Sequence, residues 1–187
     1  MKKLVLLTPL LLVCLFGKAQ DKPKTSTFAF EVDPIAYLLH GYSVHGVYQP
    51  NRWSLDFGLY GLRVPEKFHG NEGFTTTSRG YGLKVNYSLQ SSGKGFFTGV
   101  GAGNGTTLAK HRESGAEGTG HSWSIRPQFG YRLFLQEGAA GKVRGFYITP
   151  WISLDYQFQH DKIKFNNLDY KESRITPFAT IHVGYRF

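Results

Sequence analysis

The chain ends on RITPFATIHVGYRF, and this stretch alternates strictly with a period of two. Ile175, Pro177, Ala179, Ile181, Val183, Tyr185 and Phe187 make one face, and Thr176, Thr180, His182 and Arg186 fall between them. Successive side chains of a β-strand point to opposite sides, so this pattern predicts a strand lying between an apolar and a polar environment. An amphipathic helix would need a period near 3.6, which is not seen here.

The same period recurs along the chain and sets the fold class. HSWSIRPQFGYRLFL places Trp123, Ile125, Pro127, Phe129, Tyr131 and Leu133 against Ser122, Ser124, Arg126, Gln128 and Arg132. FYITPWISLDYQF places Phe146, Ile148, Pro150, Ile152, Leu154, Tyr156 and Phe158 against Thr149, Ser153, Asp155 and Gln157. YGLKVNYSL, WSLDFGLYG, YSVHGVYQ and TFAFEVDP follow the same rule, the last setting Phe28, Phe30 and Val32 against Glu31 and Asp33. GFFTGVGAGNGTTLA is the weakest, because its glycines blur the two faces. With it the expectation is an all-β chain of eight antiparallel strands.

Connection lengths alternate as well. Short turns are predicted at 50–52, 91–94 and 136–142, and long polar loops at 64–79, 110–120 and 160–173. Only the first connection, around His40 and Gly41, reads as short where the pattern wants a long one. Short turns on one side and long loops on the other describe an up-and-down meander closed into a barrel.

The content of the two faces distinguishes a soluble barrel from a transmembrane one. A soluble barrel turns its apolar face inward and its charges to water, and a membrane barrel does the reverse. The polar faces here carry mainly Ser, Thr, Gln, Asn and Gly. Their charges balance, with Glu31, Asp33, Asp56 and Asp155 against Lys84, Arg126, Arg132 and Arg186. Balance is what a confined interior requires, since an unpaired buried charge costs several kcal/mol. These eight residues are therefore expected to form a charge network inside an eight-stranded antiparallel up-and-down transmembrane β-barrel spanning residues 27–187.

The N-terminus agrees with export. MKKLVLLTPLLLVCLFGKAQ has two lysines, an apolar run from Leu4 to Phe16, and small residues at Gly17 and Ala19, the layout of a signal peptide over 1–19. The run is too short to span a bilayer as a helix. A short segment, 20–26, would separate it from the barrel. Cleavage removes Cys14, the one cysteine, so disulfides and thiolate metal sites are excluded. It also takes Lys2, Lys3 and Lys18 from the 22 basic residues, against 13 acidic ones, and leaves a moderately basic chain. The 15 phenylalanines, 11 tyrosines and 23 glycines suit β-structure.

With eight alternating strands, a signal peptide and a terminal IHVGYRF, the chain resembles the small Gram-negative outer-membrane β-barrels of the OmpA and OmpX type. The KAQ that ends the signal and the stretch DPIAYLLHGYSVHGVYQ are similar to barrels of the Bacteroidetes group. The resemblance implies a place in the outer membrane, contact with its lipid and lipopolysaccharide, and use of the barrel-assembly machinery. Val183, Tyr185 and Phe187 resemble the signal that this machinery reads. It implies almost nothing about activity.

The candidate chemistry is thin. Some barrels of this size are lipid A deacylases or acyltransferases, and the deacylases resemble one another in a His-x-Ser pair, which none of the seven histidines forms. His121, Ser122 and Ser124 with Asp33 or Glu31 are the nearest approach to a triad, but His121 and Ser122 belong to opposite faces of one strand. No two histidines share a strand face at ligand spacing, so no metal or other cofactor is expected. GVGAGNG lacks the Lys-Ser/Thr of a phosphate loop and leads into no helix. Nucleic acid is excluded by compartment and by the pairing of bases with acids. Two functions stand: a non-enzymatic integral outer-membrane barrel with a polar, side-chain-filled interior and external loops for surface or lipopolysaccharide contacts, and, as the alternative, a lipid A-modifying enzyme. The ligand of the loops is not legible.

Overall fold

The computed structural model describes residues 26–136, 143–166 and 168–187. The predicted signal peptide, most of the segment after it and most of the 136–142 turn lie outside the described residues. Eight strands form a closed antiparallel barrel in sequence order. They are β1 (Ser26–Val32), β2 (Tyr42–Pro50), β3 (Trp53–Val64), β4 (Phe74–Ser88), β5 (Gly95–His111), β6 (Glu117–Phe134), β7 (Gly145–His160) and β8 (Ile175–Arg186). Two short helices, α1 (Pro34–Leu38) and α2 (Glu66–His69), sit in the β1–β2 and β3–β4 connections.

Closure is made by β1 and β8, with Phe30 opposite Tyr185 and Val32 opposite Val183. The amide of Phe187 adds a further bond to the carbonyl of Phe28 at 2.9 Å. A closed ring leaves no unpaired strand edge, which is the condition for crossing a bilayer with strands.

The first connection departs from the sequence reading. It is not short: residues 33–41 fold into α1 and its flanks. Pro34 stands at the helix start, where its fixed φ fits and its missing N–H is no loss. The Asp33 carboxylate accepts a hydrogen bond from the amide of Ile35 at 2.8 Å and caps the helix. The alternation fails across IAYLLHG because that stretch is helical. Two of the long loops are also shorter than expected, since β4 begins at Phe74, β5 runs on to His111 and β6 starts at Glu117, whereas the third, between His160 and Ile175, has the expected length. Threonine and glycine carry these strands beyond the apolar belt, where alternation between apolar and polar residues no longer marks them.

The outward face is the apolar one. Phe28, Phe30, Leu55, Phe57, Leu83, Val100, Phe129, Ile152 and Ile181 are all exposed, while the polar positions between them are buried. Aromatic residues gather toward the chain-terminus end, in the pairs Phe28–Tyr48, Trp53–Tyr87, Phe96–Tyr131 and Phe146–Tyr185. Tyr42, Tyr81, Trp123 and Tyr156 stand on the outer face toward the other end. An apolar band bounded by aromatics at both rims is the exterior that a bilayer demands.

Candidate functional site

The barrel interior holds the buried charges, and a row of glycines makes room for them. On β5, Gly95, Gly99, Gly101, Gly103 and Gly105 all occupy the inward register. A Cβ on Gly101 would lie 2.9 Å from Cγ of Arg126 and 3.1 Å from Cγ of Lys84. A Cβ on Gly105 would lie 3.0 Å from the Tyr60 hydroxyl. An eight-stranded barrel is only wide enough for its own side chains, so long cations can lie across this one only where the facing wall has none. The glycines that blur the sequence pattern are thus the space occupied by Lys84 and Arg126.

Nearest the termini, Gln49 joins two arginines. Its Oε1 accepts from Arg186 at 2.7 Å and from Arg132 at 3.1 Å. Arg186 also donates to the carbonyl of Ser92 at 2.7 Å. The guanidinium of Arg186 lies 4.5 Å from the centre of the Phe134 ring, and that of Arg132 lies 5.3 Å from that of Tyr147. Such contacts favour Arg, whose weakly hydrated plane stacks on aromatic faces. Ala29, Val47, Phe134 and Tyr147 form an apolar cluster at this level.

Above it lies a carboxylate–imidazole relay. Glu31 accepts from the Tyr147 hydroxyl at 2.7 Å, pairs with Nδ1 of His182 at 2.8 Å, and lies 3.5 Å from Arg132. The His182 ring meets that of His45 at 4.5 Å between centres. His45 pairs through Nδ1 with Asp56 at 2.8 Å, and Asp56 holds Lys84 at 2.7 Å. The ammonium of Lys84 sits 4.7 Å over the Trp151 ring. These groups are nearly all sealed from solvent.

The eight residues expected to form one network do not all join it. Glu31, Asp56, Lys84, Arg132 and Arg186 belong to this connected column. Arg126 and Asp155 form a separate ion pair at 3.2 Å in a more open region, with side chains 17% and 24% exposed. Asp33 is inside the barrel, but its partners are the α1 amide and the Thr180 hydroxyl at 2.7 Å, not a base. His45, Gln49, Tyr147, Trp151 and His182 complete the column and lie outside the expected set of eight. All five stand at inward register positions; Tyr147 and Trp151 escape notice because an aromatic between Phe146, Ile148 and Ile152 reads as one more apolar residue.

The end opposite the termini is covered from within. Ile163, in the β7–β8 connection, packs with Phe74 and Ala109, and Phe165, Leu168 and Tyr170 surround them. Asn71 ties this loop to the β3–β4 connection: its Nδ2 donates to the carbonyl of Lys171 at 3.0 Å, and its Oδ1 accepts from the Lys171 amide at 2.7 Å. Tyr170 shares a hydrogen bond with Thr76 at 3.1 Å. His69 accepts the amide hydrogen of Asn71 through Nδ1 at 3.1 Å and stacks on Tyr170. Burial pushes the His69 imidazole below its ordinary pKa and the Tyr170 phenol above its own.

The sequence-derived triad is not assembled. His121 is exposed on the outer wall and bonded to the Thr106 hydroxyl at 3.0 Å, whereas Ser124 is buried within the barrel. On β8, Tyr185 and Phe187 face outward, 41% and 54% exposed, with Val183 in the same register.

No protein-family model and no curated protein matches the chain. Among solved structures it is similar to a major outer membrane protein from Thermus thermophilus, at TM-score 0.52 and 11% identity over 87% of this chain and 100% of that one. It is also similar to the N-terminal β-barrel domain of Pseudomonas aeruginosa OprF, at 0.43 and 14% over 88% and 98% of the two chains. Neisserial surface protein A gives 0.44 and 9% over 86% and 92%. The first likeness runs through nearly the whole of both chains, so the chain has the fold of an outer-membrane β-barrel.

Proposed function

We propose that this chain is an integral outer-membrane β-barrel protein without enzymatic activity, inserted with its termini toward the periplasm and its longer connections facing outward. The observation that carries this reading is the inversion of faces: an exposed apolar belt surrounds an interior whose carboxylates and cations are buried against one another. In water that arrangement would expose a continuous apolar surface far beyond what a soluble protein carries. In lipid it minimises the free energy of both faces.

The interior supports a structural role over conduction. Arg186, Arg132, Gln49, Tyr147 and Phe134 fill the lumen near the termini, and the β7–β8 connection fills the far mouth. What the protein then presents is its outer rim, to lipopolysaccharide and to other surface molecules. Val183, Tyr185 and Phe187 serve as the recognition signal for the assembly machinery, and the segment 1–19 directs export.

The experiment combines fractionation with topology. The protein should copurify with outer membranes and migrate as a compact band on unboiled gels. A cysteine at Glu113, in the β5–β6 turn, should react with an impermeant reagent in intact cells, and one at Ser91 should not. Purified protein in planar bilayers should give no steady conductance. Recovery in the soluble periplasmic fraction would overturn the reading.

A further inference from the structure

The outer wall changes character abruptly between β3 and β6. Up to Leu59, Tyr81, Ala102 and Trp123 the outward residues are largely apolar, and Tyr81 and Trp123 meet edge to face at 6.4 Å. One register step farther from the termini, Arg79 pairs with Thr106 and Thr106 with His121 across neighbouring strands. Arg63 is opposite Thr77, and so stands diagonally from Arg79 on the same face. Side chains in diagonal positions of a sheet are close enough for long residues to converge on one ligand.

Two features make this a binding surface and not a solvated rim. First, Arg63 and Arg79 are neighbouring like charges with no acid to balance them. Among the described residues, the one carboxylate in the outward register of these strand ends is Glu117, and Lys110 engages it at 2.8 Å. Arg63 makes only a long contact of 3.4 Å with the Thr75 hydroxyl. Second, Thr77 and Thr106 stand directly opposite the two arginines in register, and the Thr106 hydroxyl is bonded to the His121 imidazole, immediately above an aromatic row that marks the membrane interface. Cations at that level face the phosphate layer of the outer leaflet.

Resting on the reading of the chain as an outer-membrane barrel, we infer that this wall binds lipid A of the surrounding leaflet, with Arg63 and Arg79 holding one of its phosphates. Guanidinium groups hold phosphate oxygens through paired charge-assisted bonds, which suits this role better than ammonium. The patch is three strands wide from Arg79 to His121, about 10 Å at ordinary strand spacing. That is broader than a single phosphodiester and suited to a phosphorylated sugar, whose hydroxyls Thr77, Thr106 and His121 can meet. The acyl chains would descend over Tyr81, Leu83, Val100 and Ala102.

The test uses the full mature barrel refolded in detergent, with folding verified by the unboiled gel shift before each measurement. Native mass spectrometry then reads retention of bisphosphorylated lipid A, enzymatically dephosphorylated lipid A or phosphatidylglycerol. The expected result is selective retention of phosphorylated lipid A. The variant R63Q/R79Q should lose it by about tenfold or more, the loss of at least one charge-assisted contact, while R63K/R79K should keep part of it. Arg112→Gln, which removes a cation from the β5–β6 turn, should leave retention unchanged. Equal retention of phosphatidylglycerol or of dephosphorylated lipid A, or undiminished binding by folded R63Q/R79Q, would overturn the inference. Absence of a gel shift in the unaltered chain would instead reject the barrel reading on which it rests.

Discussion

Replacing Lys84 by Met tests whether the interior column is an electrostatic unit. Lys84 and Asp56 approach to 2.7 Å with side chains 9% and 5% exposed. At an effective dielectric near 20, that separation corresponds to an attraction of about 6 kcal/mol. Desolvation of the two ions, several kcal/mol each, offsets much of it, so the pair as a whole stabilises little. Removing one partner is different, because Asp56 stays buried with only His45 beside it, and the expected loss is about 3–5 kcal/mol. Arg126→Met serves as the contrast. Its partner Asp155 is 24% exposed, so water replaces part of the lost interaction and the cost falls to about 1–2 kcal/mol. The assay is reversible urea unfolding in lipid vesicles, followed by tryptophan fluorescence and the unboiled gel shift. Lys84→Met combined with Asp56→Asn should recover at least half of the single-mutant loss, since no carboxylate is then stranded. Equal costs for Lys84→Met and Arg126→Met, or strictly additive losses in the double variant, would refute the assignment of the column as the coupled unit.

Three further outcomes are expected. Gly101→Leu should cost about 1–3 kcal/mol by driving into Arg126 and Lys84, and the cost should shrink in an Arg126→Ala background when both are unfolded in urea. Deleting Phe187 should lower the amount of gel-shifted protein in the outer membrane, with Phe187→Tyr tolerated and Phe187→Asp as damaging as the deletion, because the terminal residue continues the outward register of Tyr185 and bonds to β1. Acid should loosen the outer mouth through His69: its folded-state pKa is held below 6.5 by burial, with Glu66 opposing and Arg112 reinforcing the shift. The neutral ring is the form that accepts the Asn71 amide, so this contribution is complete above the unfolded pKa and is lost as pH falls through the lowered folded value. Hydrogen-exchange protection at Asn71 and Lys171, after correction for the intrinsic pH dependence of amide exchange, should therefore fall between pH 7.5 and 5, and His69→Gln should abolish the change in protection.

The sequence made the barrel legible because lipid imposes a simple rule. Every strand that crosses must show grease on one face, and in β6, β7 and β8 the rule holds for six or seven consecutive outward positions. Legibility failed where that rule stops acting. Beyond the apolar belt, Thr75, Thr77, Thr106 and Thr107 lie on both faces of extended strands, so composition no longer reports which way a residue points. Around α1 a local signal, Asp33 followed by Pro34, overrides alternation within one residue. Within the lumen the polar set could be named, but not its pairing. Asp33 counts as a fourth acid, yet its carboxylate is occupied by a helix amide and a threonine. The two carboxylates and three cations of the column are joined instead through intervening side chains, with Gln49 between two arginines and two imidazoles between Glu31 and Asp56.

The glycines of β5 show why pairing could not be read from β5 itself. Glycine in a strand weakens it and offers no face, so GVGAGNG alone is a poor strand. It is held because β4 and β6 pair with it along nearly its full length. The reason for its composition lies on those neighbours, where Lys84 and Arg126 need the volume that side chains on β5 would occupy. Reading inward register across three adjacent strands at once, with glycines treated as space for a long side chain opposite, would have located both cations against that wall. The carboxylate each cation meets still depends on which strands the closed ring brings opposite one another, and that is fixed by the barrel as a whole.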